Sequence, residues 1–288
     1  MNKLGGNATT VGIVLPTFKP GSYILEMLES IERQILEYPA KDVELRLCVI
    51  LNGPRSPYYN QLLQKITGLP FSSSLLFTSI AGVSHARNMG LEQCSESDYI
   101  IFVDDDDLLS DHFVSSLVQK ISNVKSDRVI AQSNTRAFDE QGTDFGEHYI
   151  SAGIRHILEV GNTRFSLYRY RVFLNSVCGK LFPRSLIGDL RFDEGLSISE
   201  DALFLFALSN RLDGIVLVPE VYYSIRHREG SASRKKKSLT KIIGEMFSFV
   251  HKLTRTYFRH PHPRTFLLYL SRVAASLKFM TQRIVHNR

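Results

Sequence analysis

Four consecutive aspartates, Asp104 to Asp107, follow directly on the apolar run Tyr99 to Val103. Adjacent carboxylates repel one another and need an offsetting charge. A hard divalent cation supplies it, because Mg²⁺ and Mn²⁺ favour carboxylate and phosphate oxygens. In extended backbone alternate side chains share a face, so Asp104 and Asp106 can address one ion together. The same run also suits an acidic helix start, with Asp106 or Asp107 capping a helix from Leu108. A second acidic pair, Glu200-Asp201, precedes an apolar helix predicted over Ala202 to Ser209. Taken alone it reads as a charge pair favoured by the helix dipole. Arg87 is a candidate phosphate or base contact, or else a helix-surface arginine.

The elements that must position these residues alternate. Strands are predicted at Val11 to Leu15 (stopped by Pro16), Glu44 to Leu51, Leu75 to Phe77 and Tyr99 to Val103. Helices fall between them at Tyr23 to Leu36, Tyr58 to Ile66 and Ser84 to Gln93. Such alternation implies parallel pairing in a doubly wound α/β sheet, with ligands beyond the carboxyl ends of the strands. Three polar turns should therefore converge: Pro16-Thr17-Phe18, Leu51-Asn52-Gly53 and the aspartate run. After Arg128 the pattern weakens to a strand at Val129 to Gln132, a helix at Phe165 to Asn175, and two short strands around Pro219. From Leu239 two amphipathic helices are expected. One carries Ile242, Ile243, Met246, Phe249, Val250, Leu253 and Tyr257; the other carries Phe266, Leu270, Val273, Leu277, Met280 and Ile284. Packing on the body is the expected use of both stripes.

Read in order, these pieces resemble family 2 glycosyltransferases of the GT-A fold. Val11-Gly-Ile-Val-Leu-Pro-Thr-Phe18 resembles the opening strand and its nucleotide-side turn, and Ala86-Arg-Asn-Met-Gly90 the "ARN.G" helix start. Asp98 to Asp107 resembles the strand leading to a DxD motif. Cys178 to Arg184 and Arg191 to Glu194 resemble the acceptor-side region, and Ser199-Glu-Asp201 the "ED" helix start. Tyr222 to His227 with Ser231 resembles the closing strand and flexible loop.

The resemblance implies a Rossmann-like doubly wound, mostly parallel sheet with a C-terminal helical extension. A glycosyltransferase domain would span residues 1–235, with a donor half over about 10–130 and an acceptor half over about 131–235. A basic helical region would follow over 236–288. It implies that Asp106, with Asp104, ligates Mn²⁺ or Mg²⁺, and that Asp104 and Asp105 contact the donor. Asp201 would be the general base, supported by Glu200, and attack would invert the anomeric configuration. Pro16, Thr17, Phe18, Asn52, Arg87, Lys180 and His227 would complete the donor site. Asn52 stands where the family commonly has an aspartate pair, which puts a uracil-specific reading in doubt. The implied partners are a nucleotide-sugar, foremost a UDP-sugar, and a glycan or lipid-linked acceptor in capsule, O-antigen or lipooligosaccharide synthesis. The loop from Arg226 to Ser238, with Arg234-Lys-Lys-Lys237, is expected to close over the diphosphate as a lid.

Composition sets the bounds. The chain has 288 residues, 43% of them hydrophobic, enough for a large core. Three separated cysteines suggest neither a disulfide framework nor a zinc site. The N-terminus lacks an apolar signal region and no stretch reaches the roughly 18 apolar residues of a membrane span, so a cytoplasmic location is expected. From Arg226 onward 15 lysines and arginines face only Glu229 and Glu245, a net of +13 on a body of −7. A basic tail of this kind attracts anionic surfaces, so peripheral attachment to the inner face of the membrane is one expectation and pairing of two copies another. Nucleic acid is not expected, for want of aromatic stacking positions on a strand platform. A sugar nucleotidyltransferase would need a glycine-rich basic loop where Leu15-Pro-Thr-Phe-Lys-Pro20 stands. A non-catalytic scaffold of the same fold would be expected to lack the acidic motifs.

Overall fold

The computed structural model describes residues 8–37, 42–161, 165–228 and 238–286. The basic run Arg234 to Lys237, and with it most of the expected lid, lies outside them. In the first half β1 (Thr9–Thr17), β2 (Val43–Asn52), β3 (Ser72–Thr78) and β4 (Tyr99–Phe102) pair in parallel, in the order β3-β2-β1-β4. The helices α1 (Tyr23–Leu36), α2 (Tyr58–Thr67) and α3 (Val83–Gln93) alternate with them. β1 and much of β2 are buried on both faces, which is why they read as unbroken Val, Ile and Leu runs.

The sheet continues through antiparallel and parallel pairs. β8 (Lys180–Pro183) lies antiparallel to both β4 and β6 (Val129–Asp139), and β6 runs parallel to β9 (Gly214–His227). The short β5 (Leu108–Leu109) closes one edge on β9, and β7 (Asp144–Glu147) pairs with β6. Alongside lie α4 (Phe113–Ser122), α5 (Tyr149–Val160), the short α6 (Arg184–Ile187) and α7 (Glu200–Ser209).

Four local expectations are corrected. β1 runs through Pro16, because β4 pairs with it only as far as Val14 and the missing proline N–H falls where one neighbour has ended. No helix starts at Leu108; that segment pairs with Tyr223 and Ser224, and α4 begins only at Phe113. The two strands around Pro219 are one strand whose register shifts there. Phe165 to Asn175 is mostly turn, with a single 3₁₀ segment at Arg171–Leu174.

The tail helices α8 (Leu239–Arg259) and α9 (Pro263–His286) pack on α7 and on each other. α8 buries Ile242, Met246, Phe249 and Leu253, as its stripe predicts. α9 does not: Thr265, Leu268 and Arg272 turn inward while Phe266, Leu270 and Leu277 are exposed. Arg272 explains the phase, since its guanidinium bonds Asn175 Oδ1 and the Leu174 carbonyl at the end of the 3₁₀ segment. Lys252 pairs with Asp193, and Glu245 accepts from Ser197 at 2.8 Å, tying the tail to the loop before α7.

Gly90 sets how closely α3 approaches the sheet. A Cβ there would stand 2.3 Å from Val14 Cγ1 and 3.1 Å from Ile50 Cδ1, both core atoms. Alanine in place of glycine ordinarily strengthens a helix by about 1 kcal/mol. At this position overpacking, typically about 1–3 kcal/mol, should reverse the sign. Gly90→Ala is therefore expected to lower the melting temperature in a calorimetric scan.

Candidate active site

The strand β4 ends at the acidic turn, where each carboxylate has its own partner. Asp104 Oδ1 accepts from Arg87 Nη2 at 2.9 Å, and Asp105 Oδ2 from the Thr17 hydroxyl at 2.5 Å. Asp106 Oδ2 accepts from Arg228 Nε at 2.6 Å, and Asp107 Oδ1 from the Arg226 amide at 2.9 Å. The Tyr223 hydroxyl accepts from the Asp104 amide at 2.9 Å and is hydrogen-bonded to the Asp107 carboxyl. Burial raises three of these carboxyls: Asp105 to about 6, and Asp106 and Asp107, where repulsion from Asp104 adds to it. The positive partners therefore leave part of the charge of the turn uncompensated.

Arg87 joins this turn to the second acidic pair. It is 3% exposed and lies on α3, with Nη1 2.6 Å from Asp201 Oδ1 and 3.6 Å from Glu200 Oε1. Burial opposes its charge, but Asp201, Asp104 and Glu200 together raise its pKa. Asp201 Oδ2 accepts from the Val177 amide at 3.0 Å. Glu200 is pushed up to about 7 by burial and then by Asp201, against the pull of Arg87. Both acids open α7, whose preceding residue Ser199 turns the chain with φ of 63°. The neighbouring Asn88 bonds the Phe192 backbone and Glu194, so α3 also holds the loop leading to Glu200.

The three polar turns meet as expected. Pro16 and Thr17 end β1 in the interior, while Phe18 is exposed and covers Gly53. A Cβ on Gly53 would meet the Phe18 ring at 2.4 Å, and its φ of 106° independently favours glycine. Asn52 is buried, its Nδ2 donating to the Thr17 carbonyl at 2.8 Å and its Oδ1 accepting from the Gly82 amide at 3.0 Å. It is a bracket between the β1 and β2 ends and the start of α3.

Two further candidates are held by other partners. Lys180 is buried, donating to the Ser176 carbonyl at 2.6 Å, and burial pushes it down to about 8. The His227 ring lies against Phe145 of β7, with centroids 4.8 Å apart. Its neighbours Arg226 and Arg228 reach the acidic turn instead, and Arg226 also pairs with Glu26 at 2.6 Å. Sequence reasoning missed Tyr223, Arg226 and Arg228. The signal was present: Arg226 and Arg228 are spaced by two, so they share one face of an extended chain.

Among the described residues no three His, Cys, Asp or Glu side chains form a cage. Asp104 and Asp106 fit a different kind of site, in which Mg²⁺ or Mn²⁺ takes one or two carboxylates and completes its shell from phosphate and water. Each of the two accepts a bond from an arginine, Asp104 from Arg87 and Asp106 from Arg228, and keeps further oxygen lone pairs for an ion.

The sequence-family model for "Glycosyl transferase family 2" matches residues 12–188, from β1 to just past α6. Glycosyltransferase GlyA of Streptococcus pneumoniae is 26% identical over 78% of this chain, which spans 31% of that protein. The minor teichoic acid biosynthesis protein GgaB of Bacillus subtilis is 26% identical over 77% of the chain and 23% of its own length. The poly(ribitol-phosphate) β-N-acetylglucosaminyltransferase TarS of Staphylococcus aureus is 24% identical over 76% and 36%. The chain thus spans about a third or less of these relatives. The fold is shared with a TarS structure in complex with UDP-GlcNAc: TM-score 0.65 at 18% identity, over 96% of this chain and 81% of that one. It is also shared with the mannosyltransferase PcManGT of Pyrobaculum calidifontis in complex with GDP-Man and Mn²⁺: TM-score 0.57 at 15% identity, over 98% and 75%. The matched segment holds most of β1, Arg87 and the whole acidic turn, and on that match the chain belongs to glycosyl transferase family 2.

Proposed function

We propose that this chain is an inverting, metal-dependent transferase that moves a hexosyl or N-acetylhexosaminyl group from a UDP-sugar onto a glycan or lipid-linked acceptor of a cell-surface polysaccharide. The observation that carries the reading is Arg87, which brings the donor-side Asp104 and the acceptor-side Asp201 onto one guanidinium. The choice of donor and of product class draws on the similarity to TarS and GgaB.

Asp201 takes the proton of the acceptor hydroxyl as its oxygen bonds to the anomeric carbon. The bond from that carbon to the diphosphate breaks, its electron pair leaving with the nucleoside diphosphate. Both Asp201 oxygens accept a bond from the protein, yet each keeps a second lone pair for the proton. Glu200, ionised above about pH 7, places a second negative charge beside the proton that Asp201 receives. Asp106 and Asp104 would hold a divalent ion, which would supply Lewis-acid stabilisation of the charge on the departing diphosphate. Phe18 offers an exposed aromatic face to the base.

The tail helices present Phe247 and Phe258 on α8 and Phe266, Leu267, Leu270 and Leu277 on α9 to solvent, within a strongly basic region. This face docks on an anionic membrane surface. Co-sedimentation with phosphatidylglycerol vesicles but not phosphatidylcholine vesicles is the expected result. Equal failure with both would remove the membrane from the account.

A thermal-shift screen of UDP-, GDP-, CDP- and dTDP-sugars with Mn²⁺, Mg²⁺ or EDTA tests the donor class. A ligand at 100 times its dissociation constant adds about 2.7 kcal/mol to stability. The expected shift appears with UDP-sugars and vanishes in EDTA; no shift with any nucleotide contradicts the reading. Asp106→Asn should abolish the metal-dependent shift. Asp201→Asn should keep it and lower turnover about 10²- to 10⁴-fold. Turnover should fall as pH drops through about 7, and Glu200→Gln should flatten that limb.

The raised carboxyls give a further expectation. Their folded pKa values lie above the unfolded ones, so the folded protein holds extra protons between about pH 4 and 7. Without metal, stability should be full below this window and decline as pH rises through it. Burial also raises the Asp106 carboxyl, so Mn²⁺ affinity, read by calorimetry, should rise with pH as that carboxyl gives up its proton.

A further inference from the structure

A second basin lies beside the proposed base, enclosed by α5, the turn before β8 and α9. Its volume is about 720 Å³, and its lining includes Arg169, Arg171, Arg272, His156, Tyr168 and Asn175 but no carboxylate. Arg272 is 9% exposed, with no carboxylate partner among the described residues. Asn175 and main-chain carbonyls hold its two terminal nitrogens, and its Nε has no hydrogen-bond partner. Arg171 stacks over Tyr168 at 4.4 Å and donates to the Tyr168 carbonyl at 2.8 Å, and Arg169 makes no ion pair among the described residues. Burial, with Arg171 acting in the same direction, pushes Arg272 down to about 10. Arg272 is buried while Arg169 and Arg171 are exposed beside it, and three like charges lining one basin attract an anion.

The basin is close to the reaction centre. Asn175 stands two residues before Val177, whose amide holds Asp201. Two extended residues span about 7 Å. Tyr149 bridges the same gap, hydrogen-bonded to Asn175 and within the field of Asp201.

We propose that this basin is a subsite for a phosphate group carried by the acceptor, holding it while the hydroxyl to be glycosylated reaches Asp201. The proposal rests on the transferase reading above. Phosphate suits the site better than a carboxylate does. Planar guanidinium forks match its oxygens in pairs, and a dianion offsets more than one of the three arginines. α9 thereby contributes a substrate contact from the tail, and the unexpected phase of that helix has a use.

The test is calorimetric binding of sn-glycerol 3-phosphate, farnesyl diphosphate and glucuronate to the full chain at low salt. Wild type is compared with the double variant Arg169→Gln/Arg171→Gln, which leaves the buried Arg272 in place. Saturable binding of either phosphate compound is expected, glucuronate binding at least tenfold weaker. The double variant should lose tenfold or more, with an unchanged nucleotide and Mn²⁺ thermal shift. Preference for glycerol 3-phosphate would indicate a polyol-phosphate chain as acceptor, and preference for farnesyl diphosphate a prenyl-linked one. No saturable binding, equal affinity in the variant, or complete displacement by nucleotide from both proteins overturns the subsite. A normal nucleotide shift in those cases leaves the transferase reading standing, whereas its absence removes that reading on its own account.

Discussion

A single buried guanidinium holds the site together. Arg87 is almost fully enclosed, and a charge in that position is tolerable only because three carboxylates face it. Those carboxylates come from two distant stretches of chain, Asp104 at the end of β4 and Glu200 with Asp201 at the start of α7. Each would be repelled by the others without the arginine between them. The interaction is therefore reciprocal: the acids make the arginine affordable in the interior, and the arginine makes one site of two acidic clusters. Gly90, one turn further along α3, lets the helix come close enough to the sheet for that arrangement.

The opposite side of the acidic turn depends on β9. Tyr223 fixes the Asp104 amide and the Asp107 carboxyl, while Arg226 and Arg228 hold Asp106 and Asp107 from the strand end. This strand pairs with β6 and β5, in the mixed part of the sheet. The parallel half thus supplies the acidic turn and Arg87, and the mixed half supplies the remaining counter-charges. The tail is part of the same assembly, since Lys252 pairs with Asp193 and Arg272 reaches the turn that carries Asn175.

The parallel half was legible in the sequence because β1 and much of β2 are buried on both faces and α1 has a clear apolar stripe. β1, β2 and β4 differ from expectation by a residue or two, and the three turns meet as the alternation requires. The second half was harder, because its long strands alternate polar and apolar residues and rely on distant partners. Pro219 looked like a break between strands but is absorbed by a shift in register. Arg87 illustrates the limit most clearly. Its helical position was readable, but nothing local separated a surface arginine from a buried one, because its partners lie 17 and 114 residues away. Glu200-Asp201 shows that the two readings of a motif can both hold: the pair does start a helix, and it also faces Arg87. On α9 the more apolar stripe turned outward because Arg272 had carbonyls and Asn175 to satisfy inside.

The most direct test of the central claim is Arg87→Lys, followed through both nucleotide affinity with Mn²⁺ and turnover in a variant whose circular dichroism shows it folded. Lysine keeps the charge but cannot present a planar fork to two carboxylates at once. If Arg87 makes one site of the two acidic clusters, both quantities should fall together, each by about tenfold or more. Loss of one with the other unchanged would mean that the donor and acceptor acids act independently, and would contradict the account.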